Sequence, residues 1–154
     1  MSVVAYAELH CISNHSFLRG GSHPGELVAR AAELGYEALA ITDECSLAGI
    51  VKAHVAAREH GIQLLIGSEF VLQEGMRLVL LAPDRAAYAQ LSGLITLGRR
   101  RSPKGEYRLG LDDVARLADR CLVLWYPDHR RNRNGNLADG RHLVEAHGGR
   151  LWLG

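Results

Sequence analysis

Residues 38–70 read ALAITDECSLAGIVKAHVAAREHGIQLLIGSEF, and this stretch decides the fold class. Ala38–Thr42 is short and largely apolar, as a strand buried on both faces is. The stretch Ser46–His60 carries Leu47, Ile50, Val51, His54 and Val55 on one side at helical spacing, and Gly61 stands where a helix would stop. Gln63–Phe70 is a second strand. Strand, helix, strand in so short a span is the pattern of a parallel pair joined by a right-handed crossover.

The same alternation extends both ways. Upstream, a strand is expected over Val3–Cys11, then a loop with Gly20 and Gly21. Ser22 reads as an N-cap and Pro24 as a first-turn proline; Leu27, Val28, Ala31 and Leu34 repeat at helical spacing up to the stop at Gly35. Downstream come a strand over Arg77–Ala82 and a helix opened by Pro83 and Asp84 that runs to about Leu97. A basic, turn-rich loop over Arg99–Gly105, a short helix over Asp112–Ala118 and a strand over Cys121–Tyr126 follow. The polar stretch Tyr126–Asp139 reads as a long loop, Leu137–His147 as a helix and Arg150–Leu153 as a last strand. Apolar strands alternating with amphipathic helices predict parallel pairing throughout, in an α/β doubly wound sheet or a βα barrel. With no repeat and no internal boundary, residues 1–154 read as one domain; ending on a strand-like run without a closing helix suggests part of a longer protein.

The bulk properties narrow the function. A chain of 154 residues, 47% apolar and 23% charged, builds an ordinary globular core. A net charge of +1 gives no global attraction to nucleic acid. Cys11, Cys45 and Cys121 are odd in number and widely spaced, which fits free thiols in a reducing cytoplasm. No apolar run reaches a membrane-spanning length, and Met1–Tyr6 lacks the basic start of a signal peptide.

Ligands of parallel α/β folds bind at the C-terminal ends of the strands. His10, Asp43, Glu44 and Glu69 fall at three such ends, and a histidine with carboxylates is reasonable chemistry for a divalent metal. The bland alternative is a hydrogen-bonded histidine beside helix-capping carboxylates. No nucleophile elbow, phosphate-binding loop or HExxH motif occurs, and Ser16 and Ser22 have no visible base partner. Arg99, Arg100, Arg101 and Lys104 could contact phosphates, although a solvated loop is the simpler reading; Arg130, Arg131 and Arg133 pose the same choice.

Three segments carry a resemblance: Tyr6–Gly20 with Glu8-Leu9-His10-Cys11, Ala40–Gly49 with Thr42-Asp43-Glu44, and Ile66–Phe70. In this order, with Arg77–Asp84, Tyr88 and Leu94–Leu109 continuing the match, they resemble the N-terminal PHP (polymerase and histidinol phosphatase) domain of bacterial C-family DNA polymerases. Glu8–Cys11, Asp43–Ser46 and Arg99–Gly105 look like the error-prone, damage-inducible branch. The resemblance covers about residues 5–126, with residues 127–154 matching poorly.

The resemblance implies a PHP-type βα barrel, incomplete in this chain, with polymerase domains lying elsewhere in a parent protein. The parent would be a cytoplasmic DNA-directed DNA polymerase for translesion synthesis after damage, meeting DNA through its other domains and working with accessory mutagenesis proteins. Metal-binding PHP domains carry a second histidine where this chain has Ile12, an acidic ligand at Arg19, a histidine at Glu44, a histidine at Arg77 and a cysteine near Pro127. His10 and Glu69 retain ligand identity and Glu44 is a substitute. The resemblance therefore implies a remnant metal site at His10, Glu44 and Glu69 with no cofactor bound, no catalytic residue in this chain, and Arg19 or Arg77 paired with Glu44 or Glu69. The enzymatic alternative is a metal-dependent PHP phosphoesterase or 3′–5′ exonuclease.

Overall fold

The computed structural model describes residues 5–128 and 133–154, in two compact units that divide between Ser68 and Glu69. Val3 and Val4 of the expected first strand, together with His129, Arg130 and Arg131, lie outside the described residues. The first unit holds β1 (Ala7–Cys11), α1 (Pro24–Glu33), β2 (Ala38–Ile41), α2 (Ile50–His60) and most of β3 (Gln63–Val71), which runs on into the second. Both β1–β2 and β2–β3 are parallel, as the alternation predicts. Their register sets Cys11, Ile41 and Ile66 level, so the segments that follow leave from one end of the three strands.

Helices α1 and α2 pack on each other through small residues. Val28 and Ala31 of α1 are buried with Ala53, Ala56 and Ala57 of α2 against Leu39 and Ile41. This corrects the expected apolar face of α2: Val51 is 74% and Val55 52% exposed, and His54 is exposed with them. Alanines bring the two helices close, and the bulkier valines are left outside. Helix α2 also begins at Ile50 rather than Ser46. A Cβ on Gly49 would stand 2.8 Å from Pro24 Cγ and 2.9 Å from the His15 ring, so close packing holds the chain in a turn there. His23, not Ser22, caps α1, with its N–H bonded to Glu26 at 2.7 Å.

In the second unit β4 (Arg77–Ala82) pairs antiparallel with β5 (Leu122–Tyr126), and β5 pairs parallel with β6 (Leu151–Leu153). Parallel pairing throughout is thus corrected. Between β3 and β4 there is only a tight turn, with Gly75 at φ +83 and Leu72 N–H bonded to Met76 C=O at 2.8 Å. A parallel crossover takes a dozen residues or more, so so short a link reverses the chain. Helix α3 (Arg85–Arg100) follows, opened by the Asp84 carboxylate accepting from Ala87 N–H at 2.7 Å. It runs three residues past the expected end, taking Arg99 and Arg100 out of the expected loop and into its last turn, where cations suit the helix dipole. After α4 (Leu111–Leu117), α5 (Arg133–His147) replaces much of the expected Tyr126–Asp139 loop. Its Asn and Gly residues are weak helix formers, but Leu143 is fully buried and Gly140 lies so near the Trp125 ring that a Cβ would stand 3.0 Å from it.

Candidate functional site

His10 lies near the end of β1, where the register against β2 shifts between Glu8 and Cys11. Such a bulge leaves backbone groups out of the ladder and re-aims the neighbouring side chains. The Glu8 carboxylate takes up the His10 N–H at 2.9 Å and also accepts from the Tyr6 hydroxyl at 3.0 Å. Burial, with help from Glu8 and Asp43, pushes the half-buried Cys11 thiol up to about 11, so it is no nucleophile at neutral pH.

A latch of hydrogen bonds joins the loop after β1 to the turn after β2. Asp43 is 1% exposed. Its Oδ1 accepts from Ser13 N–H at 2.8 Å and from the Ser16 hydroxyl at 2.7 Å, and its Oδ2 accepts from the Ser13 hydroxyl at 2.7 Å. Ser16 Oγ in turn accepts the Glu44 N–H at 3.0 Å, and the Asp43 carbonyl accepts from the Ser68 hydroxyl at 2.7 Å. Ser16 therefore has a carboxylate partner that sequence reasoning missed, because the two residues lie 27 positions apart. Ser13 and Ser16 are buried, so these hydroxyls hold the loop rather than meet a substrate. Two non-glycine residues here adopt the left-handed conformation, Leu18 at φ 61 and Cys45 at φ 44. Backbone of this kind persists only where the surroundings over-determine it.

The latch carries Arg19 to Glu44. Arg19 Nη1 lies 2.7 Å from Glu44 Oε2, with the two side chains 34% and 28% exposed. One of the pairs anticipated from the sequence is thus present. Arg77 is different: it is exposed at the first residue of β4 and forms no ion pair among the described residues. Its expected role beside a buried carboxylate is corrected, because a strand-opening side chain here faces solvent. Glu69, on the second unit's part of β3, is completely buried.

The basic segment is largely committed internally. Arg101 makes a fork to Asp113, at 2.8 Å and 3.2 Å, and Gly110 N–H bonds the same carboxylate at 3.0 Å. Burial works against ionising Asp113, but Gly110 and Arg101 outweigh it and hold the carboxyl below its ordinary range. Arg99 lies over the Tyr107 ring, 5.4 Å from its centre, and donates to the Gly105 carbonyl at 3.2 Å. Of the four cations singled out for phosphate contact, Arg100 and Lys104 are the two left simply exposed.

The model for the PHP domain matches residues 8–129. The chain belongs to the PHP domain family. Its relatives include proteins named error-prone DNA polymerase from Dechloromonas aromatica, 52% identical over 99% of this chain and 15% of the relative, and from Pseudomonas paraeruginosa, 56% identical over 97% and 14%. The chain thus spans about 15% of the length of the curated relatives it matches. These relatives align over nearly the whole chain, whereas the PHP model ends at residue 129. Two solved structures share the fold. An amidohydrolase from Chromobacterium violaceum superposes with a TM-score of 0.71 at 19% identity, covering 97% of this chain and 76% of that one. A protein described as a metal-dependent phosphoesterase from Bifidobacterium adolescentis gives 0.63 at 18%, covering 90% and 76%. The α/β fold is therefore of the PHP barrel type, with six strands among the described residues against the eight of a closed (β/α)8 barrel.

Glu44 already neutralises a guanidinium, which never loses its proton and cannot serve as a ligand. Ile12 has no donor atom. Among the described residues, no three His, Cys, Asp or Glu side chains stand together as metal ligands would. Among the described residues, no helix is long and apolar enough to cross a membrane.

Proposed function

We propose that this chain is the PHP module of an error-prone DNA polymerase and that it acts as a structural, non-catalytic element with a remnant metal site. The observation that carries the reading is the Arg19–Glu44 pair: a cation of the protein itself stands where the family resemblance puts an acidic ligand. His10, Glu44 and Glu69 are the remnant, and a divalent metal has no part in the module's work. The parent polymerase would copy DNA past lesions after damage, in the cytoplasm, with accessory mutagenesis proteins as partners and DNA held by its other domains. Its name among relatives above 50% identity supports the polymerase assignment. Arg100 and Lys104 could add phosphate contacts in that setting, but Arg99 and Arg101 are spent on Tyr107 and Asp113.

The competing reading is a metal-dependent phosphoesterase or 3′–5′ exonuclease, favoured by the fold shared with the Bifidobacterium protein. Hydrolysis of p-nitrophenyl phosphate and of a 3′-labelled single-stranded oligonucleotide separates the two, with manganese or zinc supplied. The module is expected to release no product above the metal-only control. Turnover that disappears in His10→Ala would establish the enzyme instead.

A further inference from the structure

Residues 99–108 carry five Lys and Arg against Glu106 alone, in a chain whose total charge is +1. The fold gathers these cations rather than spreading them. The loop after α3 turns back on the helix, with Glu106 N–H bonded to Pro103 C=O at 3.1 Å and Arg108 N–H to Gly98 C=O at 3.2 Å. Leu109 packs so close to Gly98 that a Cβ there would stand 2.9 Å from its side chain. Arg101 ties α4 to the same end through its fork to Asp113, and Arg116 of α4 reaches that carboxylate at 3.6 Å. One carboxylate thus serves two guanidiniums. Arg100, Lys104 and Arg108 are exposed and make no ion pair among the described residues, and the Arg116 side chain is 71% exposed. The helix dipole accounts for cations in the last turn of α3, but its effect fades within a turn and leaves Lys104, Arg108 and Arg116 unexplained. Beside them Gly93, Thr96, Leu97, Arg100 and Arg101 line a groove of about 440 Å3 along one stripe of α3. At Gly93 even a Cβ would meet nothing, so the groove is open there.

We propose that this face binds the phosphate backbone of single-stranded DNA. Arg100, Lys104, Arg108 and Arg116 neutralise phosphates and release the counterions condensed on them. The groove favours an unpaired strand over a duplex or an acidic peptide. Its floor is the half-buried side chain of Leu97, and the Arg100 guanidinium offers a plane on which an unstacked base lies. Duplex bases stay stacked on one another, and carboxylate side chains bring no flat ring. The choice of DNA as the polyanion rests on the polymerase reading. Failure of the inference leaves that reading intact, since DNA held only by other domains of the parent gives no binding to this chain.

Fluorescence anisotropy of a fluorescein-labelled single strand of about 20 nucleotides, titrated with the 154-residue chain from about 50 to 200 mM salt, tests it. Three to four phosphate contacts predict a log–log salt slope of about −2 to −3, which is about a 20- to 50-fold loss of affinity over that range. Arg100→Gln combined with Lys104→Gln should flatten the slope by about 1.4, a readout that partial unfolding does not move. Arg85→Glu reverses a charge at the other end of α3, about 22 Å away, and should leave the affinity within about twofold. A duplex of the same sequence should bind more weakly, and polyglutamate at equal charge concentration should not displace the strand. No binding at about 50 mM salt with up to about 200 µM chain would overturn the proposal. So would a slope unchanged in the double glutamine variant, an equal loss in Arg85→Glu, tighter binding of the duplex, or displacement by polyglutamate.

Discussion

Replacing Asp43 by alanine should be among the most damaging changes possible in the first unit. The carboxylate is almost completely buried and accepts three hydrogen bonds, two from hydroxyls and one from a backbone N–H, all between 2.7 and 2.8 Å. A hydrogen bond to a charged group contributes about 1.5–3 kcal/mol, and a stranded buried donor costs about 1–3 kcal/mol. The three do not add fully, since the freed hydroxyls of Ser13 and Ser16 can rotate toward other acceptors. An expected loss of about 3–5 kcal/mol follows, a large part of the 5–15 kcal/mol that holds a typical domain together. In a chain of this size that lowers the melting temperature by about 6–20 °C. Asp43→Asn keeps the shape and two acceptor sites, so it should lose about half as much. Urea unfolding of the wild type, Asp43→Ala, Asp43→Asn, Ser13→Ala and Ser16→Ala gives the comparison. Coupling between Asp43 and each serine should exceed about 1 kcal/mol in double-mutant cycles. A loss below about 1 kcal/mol for Asp43→Ala would refute the latch.

The half-exposed ion pair predicts a small effect: Arg19→Ala should cost about 1 kcal/mol or less, shrinking further in 1 M salt, and melts at two salt concentrations check this. Arg77→Ala should stay within about 0.5 kcal/mol of the wild type by urea unfolding, because the exposed side chain leaves no carboxylate stranded. A Cβ at Gly20 would fall 2.0 Å from the Ser13 carbonyl oxygen, so Gly20→Ala should open the loop at a cost of about 2–4 kcal/mol, with amide exchange at Ser16, Arg19 and Gly20 accelerated. His147 is 2% exposed and burial, aided by Arg150, lowers its pKa below 6.5, so the unfolded chain takes up the proton first. Stability should therefore be full above about pH 6.5 and fall as the pH drops below it, and melts between pH 7.5 and 5.5 should show a slope that His147→Leu flattens.

How much of this was legible beforehand depended on whether the signal was local. The units β1–α1–β2–α2–β3 follow from apolar runs and glycine stops, because Gly35 and Gly61 both adopt the left-handed conformation their positions require. The reversal at β4 also had a local sign, a link of a few residues with Gly75, but the habit of parallel alternation hid it. The buried face of α2 was misjudged because large side chains were given more weight than alanines, whereas close helix contact favours the alanines. In α5 burial of Leu143 overrides poor helix formers, which no local pattern announces. At the site, the ligand-type residues His10, Asp43, Glu44 and Glu69 were visible as types. Their actual employment was not, because Asp43 meets Ser13 and Ser16, and Glu44 meets Arg19, across 25 to 30 positions of sequence. Arg99 and Arg101 looked like a phosphate-binding run until tertiary partners at Tyr107 and Asp113 claimed them.

Under the proposed function the protein's own charges, rather than a metal, fill this PHP site. Elemental analysis by plasma mass spectrometry addresses it directly, on protein purified without chelator, loaded with zinc or manganese, and then freed of loosely held ions by gel filtration. Metal ligands must shed their protons and converge before they bind, and an arginine paired to Glu44 at 2.7 Å does neither. The account predicts well under one equivalent of either metal per chain, unchanged in Arg19→Ala. Two or more tightly held equivalents in the wild type would contradict it.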